Sequence, residues 1–538
     1  MNNSIKNILG EFNFKDEQEA IITLREKVIF YIKKNEFETA QKFNNKLLIL
    51  ISNDYQTNRD DAFIKYHLND LKVAEKSIRK AFEINSQDVF GINIFALILI
   101  SQKKYSRSID YLQRAIEIDE NYIDSYNNLG TCFFETERLD EAFKCFSKAF
   151  KINKNYPNTL INIGNILSLK DKYSYAINFF NKVLEVSPNN INVLNNIAIC
   201  YCRKRDGYNA KKYFEKINQI SINNHDLNYI YSTTLLNLGK YKQGWELFRS
   251  RFFLKKNYKF IKKIYLKKTN KKINFDKDKV LILREQGVGE EILFSSIYRK
   301  LLRNNNVRIE SDPRLLSIFT RSFSKNIFYK EGYFSNKSAL VKEFNHVIHA
   351  GSLCEYFINK DKDIDSSPYL VANQNIINKF KKNIFLKDNK KCKVGISWKS
   401  KISVYGELKS IKIEDFIPIF KENRNIFCLQ YGNVENERKI CKKLKKNLIF
   451  FEGLDIFNDF ESLMGILNSI DIFITVSNST AHIAAAMGVK TIILCPRKSS
   501  TYFYWDIKKK KSPWYKTVEI VTIEDSIKKT MEKINRTF

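Results

Sequence analysis

Residues 471–496 read DIFITVSNSTAHIAAAMGVKTIILCP, and this stretch decides how the second half of the 538-residue chain folds. Ile472 to Val476 is an unbroken apolar run rich in β-branched residues, the pattern of a parallel strand covered on both faces. A small polar turn, Ser477 to Thr480, leads into a helix opening at His482 and lined with Ala484, Ala485, Ala486 and Gly488; Thr491 to Leu494 is the next strand. In open α/β sheets such a turn binds phosphorylated ligands. The first N–H groups of the helix lack intrahelical acceptors, and the macrodipole favours negative charge. Asn478, Ser479, Thr480 and His482 are therefore candidate anion ligands, with the imidazole as one further donor. The plainer reading is a strand–helix unit whose histidine caps its own helix.

Outward from this block the same alternation continues. Val280 to Leu283 is a strand, followed by a turn holding Gly287 and Gly289 and by a helical stretch, Ile292 to Leu302. Val307 to Glu310 and His346 to His349 are further strands, with Arg314 to Phe323 helical between them. Beyond residue 381 a second set begins with Lys393 to Trp398, Asn425 to Gln430 and Leu448 to Phe451. Two successive α/β halves imply two Rossmann-like domains with a cleft between them. The two glycines allow a ligand close to the backbone, but their spacing fits neither the dinucleotide fingerprint nor the P-loop. His346 and His349 point to opposite faces of their strand and form no metal pair. His67 and His225 read as packing or surface residues.

The first half carries a register of 34 residues. Ala40, Ala74, Ser108, Ala142, Ala176, Ala210 and Gly244 are all small. Three residues before them stand Phe37, Leu71, Tyr105, Leu139, Tyr173, Gly207 and Tyr241, with Tyr208 as a one-residue slip in the unit of Gly207. Four residues after the small positions come Ile78, Leu112, Phe146, Phe180, Phe214 and Phe248. Small residues let two helices approach and the aromatics fill holes between hairpins, so this resembles the tetratricopeptide repeat. About seven units from residue ~21 to ~258 stack as an α-solenoid, because each hairpin leaves an apolar face open. The concave face of such an array is the expected site for a protein or peptide partner.

Five motifs in order carry a second resemblance: EQGVGE at 285–290, GISW at 395–398, LQ at 429–430, SNSTAH at 477–482 and SPWY at 512–515. Together with GWELF at 244–248, they are similar to bacterial tetratricopeptide-repeat proteins whose C-terminal half belongs to the glycosyltransferase family 9, or heptosyltransferase-like, group. The resemblance implies a GT-B fold and an inverting, metal-independent transfer of a sugar from a nucleotide-diphosphate donor, with no cofactor. The expected organisation is a repeat solenoid at 1–258, a basic linker at 259–279, an acceptor-side Rossmann-like half at 280–385 and a nucleotide-sugar half at 386–538.

The same resemblance makes Glu290 the candidate general base, where the family commonly has aspartate, with Glu291 as a neighbouring competitor. It places Gln286, Gly287 and Gly289 in an acceptor or phosphate loop and His482 among the catalytic residues. Charge building on the departing diphosphate needs donors and cations. Candidates for donor binding are Ser397, Lys399, Lys409, Gln430 and Glu435, with Asn478, Ser479, Thr480 and His482. Glu437 is a further ribose candidate, and Trp398, Trp505, Trp514 and Tyr515 are aromatics that could flank the cleft. Heptosyltransferases proper often have aspartate where Ser477 stands, so the sugar is not carried over.

The formal charge of +32 invites a nucleic-acid reading. Lysines spread over every segment without the glycine and aromatic patterns of RNA-binding modules argue against it. The charge fits an anionic donor, an acidic acceptor or a peripheral membrane surface equally well. Nine scattered cysteines without a C-x-x-C pair, no long apolar stretch and no secretory signal lead to the expectation of a cytoplasmic protein with reduced thiols. The rival from another class is a non-catalytic repeat scaffold on a degenerate GT-B platform. A protein O-linked N-acetylglucosamine transferase shares the overall plan, but the five motifs stand closer to family 9.

Overall fold

The structure, a computed structural model, describes residues 14–220, 225–254, 273–285, 287–333, 343–382, 391–400, 410–495, 503–505, 510–523 and 526–536. Helices come first, in hairpins. They are α1 (Glu17–Lys33) with α2 (Phe37–Leu50), α3 (Tyr55–His67) with α4 (Leu71–Ile84), and α5 (Val89–Ser101) with α6 (Tyr105–Ile118). These are followed by α7 (Ile123–Glu135) with α8 (Leu139–Ile152), and α9 (Pro157–Leu169) with α10 (Tyr173–Val186). Two more hairpins, α11 (Ile191–Arg203) with α12 (Gly207–Ile220) and α13 (His225–Asn237) with α14 (Tyr241–Phe248), bring the described hairpins to seven.

The 34-residue register has a direct packing cause. Ala40, Ala74, Ala142, Ala176 and Ala210 are fully buried where helices cross. A methyl group on Gly130 would fall 2.5 Å from the Phe146 ring, and one on Gly164 would fall 2.4 Å from Phe180, so each aromatic occupies the space its glycine leaves. The turn inside each hairpin repeats as well. Asn35, Asn69, Lys103, Glu137, Asp171, Arg205 and Gly239 all have positive φ at the same interval. The expected slip at Tyr208 does not occur: that ring is exposed, α12 starts in register at Gly207, and Leu238 fills the space beside the glycine.

The chain separates into two compact units, residues 1–196 and 197–538. The division therefore falls within the repeats rather than after residue 258. The reason is visible in the second unit, where the last hairpin is part of the α/β core. Trp245 packs edge-on against Phe503 and Trp514, and Phe248 against Phe294. Tyr241 donates a hydrogen bond to Asp361, and Arg249 pairs with Glu355. Beyond α14 lies the short α15 (Arg251–Leu254); most of the expected linker lies outside the described residues.

The first sheet is parallel, in the order β3 (Phe328–Lys330), β2 (Val307–Ser311), β1 (Val280–Leu283), β4 (His346–His349). Its helices are α16 (Val288–Ser295), α17 (Leu316–Phe323) and α18 (Leu353–Phe357). The second sheet has six parallel strands: β5 (Cys392–Ser397), β6 (Arg424–Cys428), β7 (Leu448–Ile449), β8 (Ile472–Val476), β9 (Thr491–Cys495) and β10 (Val518–Thr522). Their spatial order, β10-β9-β8-β5-β6-β7, reverses direction between β5 and β8. Around this sheet lie α19 (Gln374–Phe380), α20 (Glu435–Lys443), α21 (Phe460–Leu467), α22 (Ser479–Met487) and α23 (Ile527–Asn535). No described helix is long and apolar enough to cross a membrane.

Candidate functional site

The carboxyl ends of β5 and β8 flank the point where strand order reverses, the place where open α/β sheets leave a crevice. Asn478 has extended backbone there and is the N-cap of α22; its Oδ1 accepts from Ala481 N at 3.0 Å. The helix thus starts at Ser479, three residues before the sequence pattern placed it, because an asparagine cap needs only two residues of polar turn. Asn478 Nδ2 donates to Ser397 Oγ at 3.0 Å and lies 3.3 Å from Thr475 Oγ1, which ties the β8 turn to β5.

Across from it, β1 runs into Arg284, Glu285 and Gly287, the N-cap of α16. Helices α16 and α22 touch. A methyl group on Gly289 would lie 2.9 Å from His482 Cδ2 and 3.4 Å from its Nε2, so only glycine permits this approach without displacing the ring. The glycine loop and the histidine helix, read separately in the sequence, therefore meet. His482 is 3% exposed. Its Nδ1 lies 2.9 Å from Tyr515 Oη, and the rings of Tyr504, Trp505 and Tyr515 surround it. Ser477 accepts a hydrogen bond from Trp505 Nε1 at 2.9 Å. Trp398, Trp505, Trp514 and Tyr515 are buried packing residues rather than walls of an open crevice.

Two neighbouring glutamates divide sharply. Glu290 is partly exposed, and its Oε2 curls back to within 3.6 Å of a methyl position on Gly287. Glu291 is fully buried, accepting from Ser311 Oγ at 2.6 Å and Asp312 N at 3.0 Å, with Arg284 Nε 3.1 Å away. Burial pushes its carboxyl up to about 7, against the pull of Ser311 and Arg284. A raised folded-state value stabilises fully below the unfolded value near 4.5, and that stabilisation is lost as pH rises to 7. Relative to Glu291→Gln, the wild type should lose roughly 2–4 kcal/mol between pH 5 and 8. Parallel denaturation curves with no pH-dependent gap would refute this.

Gln430 is spent on structure. Its Oε1 accepts from Ser397 Oγ (3.0 Å), Trp398 N (2.9 Å) and Lys399 N (2.7 Å), and its Nε2 donates to Tyr431 O. It fixes the exit of β5 and leaves little for a ligand. Lys399 pairs with the buried Glu437. Burial raises that carboxyl, but the Lys399 hydrogen bond and charge outweigh it and hold it below the ordinary range. Glu435 is exposed in the first turn of α20, 3.5 Å from Arg438, and does not line the cavity described next. Gln286 and Lys409 lie outside the described residues.

A cavity of about 610 Å³ opens at the carboxyl ends of β5, β6 and β7. Lys399 and Gln430 line it, but most of its wall was not foreseen: Tyr431, Arg438, Phe450, Asp455 and Phe457. The Phe457 wall is fastened to the first sheet's side: Arg314 Nη1 donates to Phe457 O at 3.0 Å, and Arg321 grips Glu461 through two nitrogens at 2.9 and 2.8 Å. The visible sequence signal was the Tyr431-Gly432-Asn433 turn, with Gly432 at φ +88°.

Family models of the tetratricopeptide repeat match residues 121–189 and 93–122. The N-terminal part is thus a helical tetratricopeptide-repeat solenoid. Protein FlbA of Caulobacter vibrioides is 22% identical over 330 residues, covering 55% of this chain; the chain spans about half, 52%, of that curated relative. Among solved structures, Pseudomonas aeruginosa pilF is 19% identical with a TM-score of 0.34, covering 40% of this chain and 96% of its own. A tetratricopeptide repeat protein from Parabacteroides merdae is 14% identical with a TM-score of 0.36, covering 46% and 97%. YrrB, described as a TPR protein with an unusual peptide-binding site, is 21% identical with a TM-score of 0.27, covering 35% and 95%.

Proposed function

We propose that the α/β part of the chain is a GT-B glycosyltransferase of the family 9 kind, which moves a sugar from a nucleotide-diphosphate donor to an acceptor recruited by the repeats. The observation that carries this reading is the contact of Gly289 with His482, which sets a glycine loop against a helix start at the strand-order reversal. The acceptor hydroxyl attacks the anomeric carbon, Glu290 takes its proton, and the bond from that carbon to the diphosphate oxygen breaks. A single displacement of this kind inverts the anomeric centre. The N–H groups of Ser479 and Thr480 stabilise the charge on the departing diphosphate.

His482 acts from within, its ring oriented by Tyr515 so that Nε2 faces the glycine loop. The cavity beside Tyr431, Phe450 and Phe457 takes the nucleoside, whose base can stack on an aromatic face. The acceptor is a protein side chain or a glycan.

One observation favours the rival scaffold reading: the imidazole is enclosed by three aromatic rings. A thermal-shift screen of the full chain with UDP-, GDP-, ADP- and CMP-sugars separates the two. A donor that binds only the native state raises the melting temperature, by about 2.7 kcal/mol of stabilisation at a hundredfold excess over Kd. No shift with any of them supports the scaffold.

A further inference from the structure

The positive charge is unevenly shared. Residues 1–196 hold 26 Lys+Arg against 25 Asp+Glu, so +31 of the +32 belongs to residues 197–538. Part of it gathers on one face. Behind the second sheet, the 3-10 segment Ile413–Ile419, α20 and α23 turn Phe416, Ile419, Cys441, Met531 and Ile534 inward onto the strands. Their outer sides, over residues 412–424, 435–446 and 526–536, carry ten exposed basic residues and three exposed acidic ones. None of the ten takes part in an ion pair among the described residues. The densest run is Lys442, Lys443 and Lys445 with the half-buried Lys446, and between them Leu444 is 39% exposed. It is the only large hydrophobic side chain so exposed among the described residues of 391–536. The dipole at the end of α20 accounts for two of these lysines, Lys442 and Lys443, and for neither Leu444 nor the lysines of α23.

We propose that this face docks on an anionic membrane surface, with Leu444 entering the headgroup layer. Lysines attract such a surface additively and without directional demands. A single-stranded nucleic acid is less well matched, because none of the large aromatics exposed among the described residues lies on this face to stack a base. The inference does not depend on the enzymatic reading.

The test is co-sedimentation of the full chain with phosphatidylcholine vesicles, with and without about one-third phosphatidylglycerol. The expected result is binding to the anionic vesicles alone, weakening as salt rises from about 0.1 M to about 0.5 M. A quadruple variant, Lys442→Gln, Lys443→Gln, Lys445→Gln and Lys446→Gln, should lose about a hundredfold or more in partitioning, at about fivefold per lysine. Leu444→Ser should lose several-fold with its melting temperature unchanged. Absence of binding to anionic vesicles overturns the proposal, as does equal binding by the quadruple variant. Single-stranded or duplex DNA that is bound more tightly than the vesicles and displaces them overturns it as well.

Discussion

Arg251→Ala should destabilise the second unit by about 3–5 kcal/mol, the usual consequence of removing one partner from a buried ion pair. Arg251 Nη2 lies 3.0 Å from Glu285 Oε1, both side chains are under a tenth exposed, and the guanidinium also stacks over Phe248 and Phe252. Burial raises the Glu285 carboxyl, but the Arg251 charge more than offsets this and holds it below its ordinary range. Without the arginine, Glu285 keeps the Gly351 N–H at 2.8 Å and is left as a charge without its cation. The double variant Arg251→Met with Glu285→Gln should recover much of the loss, since it removes both charges together. Chemical denaturation followed by tryptophan fluorescence measures this, because Trp245 and Trp514 lie in the same core. A loss below about 1 kcal/mol in the single variant would mean that the last repeat hairpin is not held through this pair.

His482→Ala should lower turnover by about a hundredfold or more if a developing negative charge is stabilised beside it, the size found when one such donor is removed. Tyr515→Phe keeps the ring packing and removes the hydroxyl that partners His482 Nδ1 and Tyr369, so it should cost about tenfold in turnover. The pair of variants distinguishes a positioned imidazole from a packing residue. Donor hydrolysis and donor affinity unchanged in both would leave the histidine a purely structural role.

How far the sequence spoke depended on how locally each feature is encoded. The repeat register was readable because small residues at crossings have one physical reason to recur. The αL turns were not, since Lys103, Glu137 and Arg205 are poor αL formers held there by the packed helices around them. Central strands β1, β5 and β8 were legible as apolar runs, whereas β3 and β10 at the sheet edges are short or half exposed and gave no such pattern. The glycine loop and the helix after β8 were both visible in the sequence, the helix with its start placed at His482 rather than Ser479, and the structure brings them together. Gln430 had the right residue type at the right edge, yet its amide oxygen serves three donors of the protein itself. The cavity escaped notice because its wall combines the loop after β6, with Tyr431, and the loop after β7, with Phe450 and Phe457, each unremarkable alone.

Hydrogen–deuterium exchange of the full chain, with and without the nucleotide sugar that raises its melting temperature most, tests the central claim most directly. The account predicts slowed exchange in residues 287–295, 429–434 and 479–487 together, the two loops and the cavity wall. Slowed exchange confined to residues 17–196, or none with any donor, would contradict it.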